Sequence, residues 1–119
     1  MVIENEVTHI GNSAFECTIY DGIKNCYTNL QSVTIPDSVI SIGKSAFEWC
    51  IELAEVKLGS GLETIGEEAF ICCEKLKEVD FPPNLKYIGV KAFEATAIKT
   101  SIKIPPSVSF IGAHAFGWT

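Results

Sequence analysis

The stretch Ile65-Gly-Glu-Glu-Ala-Phe70 decides the fold of this 119-residue chain. Its pattern, Ile-Gly-x-x-Ala-Phe, occurs five times, at residues 10–15, 42–47, 65–70, 88–93 and 111–116. The last four copies begin 23 residues apart, and the first two begin 32 residues apart. This register indicates a repeat protein, in which each short unit buries its apolar side chains against its neighbours.

A half-buried strand precedes each copy of the motif. In the third unit Val56 alternates with Glu55 and Lys57, which is the pattern of a strand with one buried face. The same columns predict the following inward-pointing residues: Val33, Ile35, Val56, Leu58, Val79, Phe81, Ile102 and Ile104. Lys99 occupies a column that holds leucine in other units, and we expect its neighbour Ile98 to be buried instead.

The remainder of the unit predicts smaller elements. Residues 62–65 are consistent with a second short strand, Gly66 permits a turn, and residues 67–70 are consistent with one turn of helix. Stacking such units predicts a solenoid with one parallel sheet of about five short strands.

The unit L-x-x-V-x-[ILF]-[PG]-x-x-[VL]-x-x-I-G-x-x-A-F-x-x-C resembles the BspA-like leucine-rich repeat, a 23-residue class of the leucine-rich repeat superfamily. The resemblance implies a right-handed solenoid with a parallel concave sheet, and with short strands and single helical turns on the other side. It also implies a secreted or cell-surface protein of bacteria or protists, used for adhesion to host or extracellular-matrix proteins. No functional residue transfers from the motif columns.

Residues 1–119 are expected to form a single segment of about five units. Nine extra residues enlarge the first unit within residues 16–29. Neither end has a recognisable cap, so we expect a piece of a longer array that self-associates end to end when isolated.

The charge of the chain narrows the class of partner. The net charge is −6, and all nine basic residues are lysines. Nucleic-acid binding and polybasic membrane anchoring are therefore disfavoured, because both depend on basic patches. No run of 18 apolar residues and no signal peptide are visible.

The cysteines offer little support for a metal site, since no C-x-x-C pair occurs. We expect Cys50, Cys72 and Cys73 to be reduced, with Cys50 and Cys73 in or beside the core. Cys17 and Cys26 bracket the insertion and are the best candidates for a disulfide under oxidising conditions. No cofactor or catalytic residue is predicted, because an open sheet offers no water-excluding pocket.

Two regions are candidates for partner binding. The outward residues of the strands form one, with a column in which Glu55 and Glu78 are adjacent like charges. The insertion forms the other, because it carries tyrosines and the turn signal Asp21-Gly22. The candidate residues are Ser32, Thr34, Glu55, Lys57, Glu78, Asp80, Ser101, Lys103, Tyr20 and Tyr27. A solvated strand face and a tolerated surface loop remain the alternatives.

A third feature is the column before each Ile-Gly, where Tyr87 and Phe110 are neighbours and predict an exposed aromatic patch. The sequence as a whole favours a non-catalytic protein-binding module. A structural spacer within a longer array is the alternative.

Overall fold

The computed structural model describes residues 1–16, 30–98 and 103–117, together with the backbone of 18–20 and 23–25. This part of the chain contains ten short strands and no helix. The strands are β1 (His9–Ile10), β2 (Thr18–Tyr20), β3 (Ile23–Asn25), β4 (Ser32–Thr34), β5 (Ser41–Ile42), β6 (Glu55–Lys57), β7 (Thr64–Ile65), β8 (Glu78–Val79), β9 (Tyr87–Ile88) and β10 (Phe110–Ile111).

The motif isoleucines align in a five-stranded sheet, called sheet 2, with the order β1-β5-β7-β9-β10. All of its neighbouring strands are parallel, and each isoleucine pairs with the isoleucine of the next unit. Ile42, Ile65 and Ile88 are at most 1% exposed, whereas Ile111 on the last strand is 46% exposed. The chain is therefore a parallel β-solenoid, in which each 23-residue unit forms one coil.

The longer strands form a second parallel sheet, called sheet 1, with the order β4-β6-β8. Val2 extends it through an isolated parallel bridge to Thr34. The sequence predicts one main sheet of about five strands, but the described residues contain five strands in sheet 2 and three in sheet 1. The segment 99–102, where another strand of sheet 1 is predicted, lies outside the described residues.

The predicted core positions are confirmed wherever they can be assessed. Val33, Ile35 and Val56 are buried, while Glu55 is exposed. Ile98 is buried, as expected from the lysine beside it. The remaining described members of the set are partly buried and pack against the core: Leu58, Val79, Phe81 and Ile104. Ile102 lies outside the described residues.

The prediction of single helical turns after each Ile-Gly is wrong. Within each such segment a residue adopts a left-handed backbone conformation, as Glu68 does at φ 57°. That conformation turns its N–H toward the next coil, so the Glu68 N–H donates to the Val90 carbonyl at 2.9 Å. The Phe70 N–H also donates to the next coil, at the Ala92 carbonyl, at 2.7 Å. Bonds between coils therefore alternate with short turn bonds within the segment, such as that from the Ala69 N–H to the Gly66 carbonyl at 3.2 Å, so the continuous ladder that a helix requires does not form.

The motif phenylalanines form a continuous stack through the core. Phe15, Phe47, Phe70 and Phe93 follow one another with ring centroids 5.1 Å apart, and Phe116 follows at 5.5 Å. Adjacent rings are inclined by at most 13°. One aromatic ring from each coil thus fixes the spacing of the whole array.

The cysteine column has a hydrogen-bonding role beside this stack. The buried Cys73 Sγ donates to the Phe47 carbonyl of the preceding coil at 3.2 Å, and Cys50 Sγ donates to the Phe15 carbonyl at 3.3 Å. Thr96 occupies the same column, but its hydroxyl donates to Phe93 within its own coil. Cysteine at this position therefore links two coils.

We expect Cys73→Ser to lower the free energy of unfolding by about 1–3 kcal/mol, because the shorter C–O bond leaves a buried hydroxyl too far from the Phe47 carbonyl. Cys72→Ser is the matched control, since Cys72 is only partly buried, and it should change stability by less than about 0.5 kcal/mol. Urea denaturation measures both values. Equal effects of the two substitutions would contradict this role for Cys73.

Candidate interaction surface

The outer face of sheet 1 brings together most of the predicted partner-binding residues. Ser32 pairs with Glu55, and Glu55 pairs with Glu78, so these three residues form one column across the coils. Thr34 pairs with Lys57 in the neighbouring column. All five side chains are exposed. The alternation of the strands thus separates a fixed core face from a variable outer face.

The electrostatics of this face are unbalanced. Glu55 and Glu78 lie directly opposite each other in the parallel register, where like charges cost a few tenths of a kcal/mol or more. Among the described residues no ion pair joins Lys57, Asp80 or Lys103, although the sequence places them in a column of alternating charge. The charges of sheet 1 are therefore exposed and available to a partner.

A cavity of about 380 Å³ lies at the end of sheet 1 that β8 forms. Its described lining consists of Val79, Asp80, Phe81 and Lys103. Val79 and Phe81 are only partly buried here, unlike Val33 and Val56 in preceding coils. Val79 and Phe81 point inward, so this cavity opens toward the core at the end of sheet 1, beside the exposed side chains of Asp80 and Lys103.

The insertion contains a small hairpin. Strands β2 and β3 pair in an antiparallel manner, with Tyr20 opposite Ile23. The described part of Tyr20 is its backbone, and Tyr27 and Ser101 lie outside the described residues. Cys17 and Cys26 also lie outside them, so their pairing stays a prediction.

The outward column of sheet 2 carries the predicted aromatic patch. The rings of Tyr87 and Phe110 stack with centroids 4.8 Å apart and an interplanar angle of 8°. Tyr87 is 37% exposed and Phe110 is 46% exposed. In the first coils the column is short and polar, and His9 Nδ1 lies 2.6 Å from Ser41 Oγ. The prediction of an exposed aromatic pair is confirmed.

One thiol on the turn side of the coils, that of Cys72, is surrounded by carboxylates. Burial raises the pKa of the Cys72 thiol, and the carboxylates of Glu74, Glu48, Glu94 and Glu68 raise it further. A raised pKa keeps the thiol protonated near neutral pH, whereas a reactive cysteine needs a thiolate. No group of three or more histidine, cysteine, aspartate or glutamate residues in the described chain could hold a metal ion.

Burial also raises the pKa of the Glu48 carboxyl above 4.5, with Glu16 and Glu68 adding to the effect and a hydrogen bond from Ser45 opposing it. An acid whose pKa is higher in the folded state loses stabilisation as pH rises from the unfolded value through the folded one. We therefore expect Glu48→Gln to raise the melting temperature at pH 7. The gain should disappear below about pH 4.5, where both states are protonated. Thermal melts from pH 3 to 8 test this, and a gain that persists at pH 3 would contradict it.

Sequence reasoning missed two cross-coil ion pairs. Lys75 Nζ lies 2.6 Å from Glu52 Oε2, and Lys86 Nζ pairs with Glu63 Oε1. Each pair joins residues 23 positions apart. The repeat length was therefore the signal that could have identified both.

The repeat seen in sequence and structure also matches a known protein family. The model of the BspA type leucine rich repeat region matches residues 1–119 in 6 copies. The chain belongs to the BspA-type leucine-rich repeat family. No curated protein gives a significant match to this chain.

Solved structures of leucine-rich repeat proteins have the same architecture. The T. pallidum leucine-rich repeat protein has a TM-score of 0.85 and 30% sequence identity, and the match covers 98% of this chain and 52% of that one. A protein from Bacteroides ovatus has a TM-score of 0.68 at 28% identity, covering 91% of this chain and 30% of the other. A protein from Bacteroides capillosus has a TM-score of 0.61 at 31% identity, covering 95% and 75%. The chain thus spans about half of the first protein and less than a third of the second.

Membership of the BspA-type family makes this chain a protein-interaction or structural repeat module. Leucine-rich repeat modules generally mediate protein–protein interactions, and the family and fold are generally non-enzymatic. BspA-type repeats are typically found in surface or secreted proteins. Among the described residues, no helix is long and apolar enough to span a membrane.

Proposed function

We propose that this chain is a non-catalytic protein-binding module that engages its partner through the outer face of sheet 1 and the adjoining insertion. The observation that carries the proposal is the exposed charge of Glu55 and Glu78 in direct register. A basic side chain placed between the two carboxylates relieves their mutual repulsion, which gives a partner a favourable contact that the free module lacks.

The surrounding residues suit a partner of mixed surface. Lys57 and Lys103 add positive charge beside Asp80, and the cavity floored by Val79 and Phe81 can receive an apolar side chain. Interfaces commonly combine an apolar centre with a polar rim, and rim charges chiefly set the association rate and its salt dependence. The tyrosines of the insertion are contact residues of the kind enriched at interfaces.

We propose further that the module acts in adhesion or recognition at a cell surface, with a host or extracellular-matrix protein as its partner. The surface or secreted location typical of BspA-type repeats supports this. A single short array offers modest affinity, so strong adhesion would depend on many copies or many repeats. Protease treatment of intact cells, followed by detection of the protein, tests the location.

The test of binding uses two variants of the intact protein: Glu78→Lys with Asp80→Lys, and Tyr20→Ala with Tyr27→Ala. Biolayer interferometry measures their binding to surfaces coated with purified extracellular-matrix proteins. We expect the charge reversal to slow association by about tenfold at low salt, with a smaller effect at high salt. We expect the tyrosine variant to accelerate dissociation.

The matched control for charge is Glu67→Lys with Glu74→Lys, which gives the same change of net charge at exposed positions outside sheet 1. It should leave association within about twofold of the parent chain. If both test variants fold and bind as the parent chain does, the module is a structural spacer and its ligand sites lie elsewhere.

We also propose that the 119-residue polypeptide self-associates end to end. Exposed apolar residues lie at both ends of the stack: Val2, which bridges to the first strand of sheet 1, and Phe110 and Ile111, which form the last strand of sheet 2. Edge strands also present backbone groups that pair with another chain. Sedimentation velocity should show oligomers that grow with concentration and diminish for Ile111→Lys. A monomer across the whole concentration range would contradict this.

A further inference from the structure

Tyr87 presents an open aromatic face that the proposed protein-binding surface does not use. Phe110 covers one face of the Tyr87 ring by parallel stacking at 4.8 Å. The register partner of Tyr87 on the other side is Thr64, in the preceding coil. Because threonine is much shorter than tyrosine, part of the ring face toward Thr64 is uncovered, which is consistent with the 37% exposure of Tyr87.

The column therefore forms a step. Ser41 and Thr64 have short side chains with hydroxyl groups, and the larger Tyr87 ring protrudes beyond them in the same column. These three residues are called the step. Phe110 stacks on the opposite face of the Tyr87 ring and holds it in place, so the ring needs no reordering when a ligand stacks on it. A flat, preorganised aromatic face next to hydroxyl groups favours a ligand that has both an apolar face and polar edges.

A polar cleft of about 360 Å³ lies beside the step. Its described lining consists of Gly61, Glu63, Asn84, Lys86 and Ser107. Glu63 and Lys86 directly precede the strands that begin at Thr64 and Tyr87, so these two lining residues lie next to the step, while Ser107 belongs to the following coil. The cleft volume lies at the lower end of the range for small-ligand sites, roughly 300–1,000 Å³.

The chemistry of the cleft selects against a charged ligand. Glu63 and Lys86 form an ion pair with each other, so the cleft offers neither a net positive nor a net negative charge. It offers donors and acceptors instead: a carboxylate, an ammonium group and the amide of Asn84. No described lining residue has a large apolar side chain.

We propose that the step and cleft between the coils of Thr64 and Tyr87 bind a neutral oligosaccharide. One sugar ring stacks its C–H face on the open face of Tyr87, and its hydroxyl groups bond to the cleft. Glu63 and Lys86 contribute the acceptor and donor positions that their mutual ion pair leaves free, and Asn84, whose Nδ2 also donates to the Ser60 carbonyl, contributes its amide. This site lies on sheet 2, so it is independent of the protein-binding surface on sheet 1.

The test titrates the ¹⁵N-labelled chain with cellotetraose, xylotetraose, laminaritetraose and chitotetraose, and follows the backbone amides by NMR. At least one tetrasaccharide should shift the amides of Thr64 and Tyr87 and leave those of sheet 1 unchanged. Tyr87→Leu, which keeps apolar bulk but removes the ring, should weaken binding by about tenfold. Tyr87→Phe, which keeps the ring, should bind within about twofold of the parent chain.

Trp49→Leu is the matched control, because Trp49 is a similarly exposed aromatic residue at 40% and lies outside both sheets. It should leave saccharide binding unchanged, and an unaltered amide spectrum verifies that each variant folds. The proposal is overturned if no tetrasaccharide shifts these amides, or if Tyr87→Leu binds as the parent chain does. It is also overturned if tetra-arginine shifts them and the saccharides do not, since the step would then bind a guanidinium group of a protein.

Discussion

Phe70→Ala is expected to lower the free energy of unfolding by about 3–5 kcal/mol, because it removes a fully buried ring from the core. Phe70 is fully buried and lies between Phe47 and Phe93, with both ring centroids 5.1 Å away. Truncation leaves a cavity that interrupts the stack at its centre. The neighbouring coils cannot close it, because hydrogen bonds on either side hold their spacing.

Urea denaturation of Phe70→Ala and Phe116→Ala compares the centre of the stack with its end. Phe116 lies at the end of the stack and is only partly buried, so its loss should cost clearly less than the loss of Phe70. Equal costs at the two positions would contradict this account, in which the Phe70 ring is more deeply buried and is stacked on both faces.

Gly89→Ala is expected to cost about 3 kcal/mol by overpacking the contact between two coils. A Cβ atom at Gly89 would lie 2.5 Å from the backbone nitrogen of Glu67 and 2.6 Å from the carbonyl carbon of Gly66. Backbone atoms cannot rotate away as a flexible side chain can, so the coils must separate. Their separation would weaken the hydrogen bond from the Gly89 N–H to the Ile65 carbonyl.

Gly11→Ala is the matched control in the same column. A Cβ atom at Gly11 would have nothing within 4 Å, so this substitution should change stability by less than about 1 kcal/mol. Thermal and urea denaturation of both variants provide the comparison. A Gly89→Ala variant as stable as Gly11→Ala would show that the coils are not in the close contact described here.

The core and the stacking direction follow from the sequence because the repeat fixes them. A buried column needs an apolar residue every 23 positions, and such a column is visible without any structure. The exposed pair of Tyr87 and Phe110 was predictable on the same basis, since both precede a motif isoleucine.

The turns after each Ile-Gly were not predictable in the same way. Residues 67–70 have good helix formers, and local propensity favours a helical turn. Glu68 instead adopts a left-handed conformation, because its N–H then donates a hydrogen bond to the next coil. That hydrogen bond exists only after the coils have stacked, so local propensity does not reveal it. The motif glycine is likewise explained by contact between coils and not by local turn geometry. Gly66 is required by the close approach of Gly43 in the preceding coil, whereas the sequence suggested only a permissive turn.

The sequence predicts which residues of the candidate site are neighbours, but not which of them form ion pairs or line a cavity. The sequence places Glu55 beside Glu78, and the register confirms that pairing. It does not show that Lys57 and Asp80 lack an ion pair in the described structure, or that the core opens into a cavity at Phe81. Both depend on side-chain positions, which the repeat does not determine.

The most direct test of the proposed binding surface is a lysine footprint. The intact protein is labelled with acetic anhydride, free and bound to a surface coated with an extracellular-matrix protein, and the modified lysines are quantified by mass spectrometry. If sheet 1 is the binding face, Lys57 and Lys103 lose reactivity on binding, while Lys44 and Lys77, which are exposed and lie outside sheet 1, keep theirs. Unchanged reactivity of Lys57 and Lys103 in the bound protein would contradict the account.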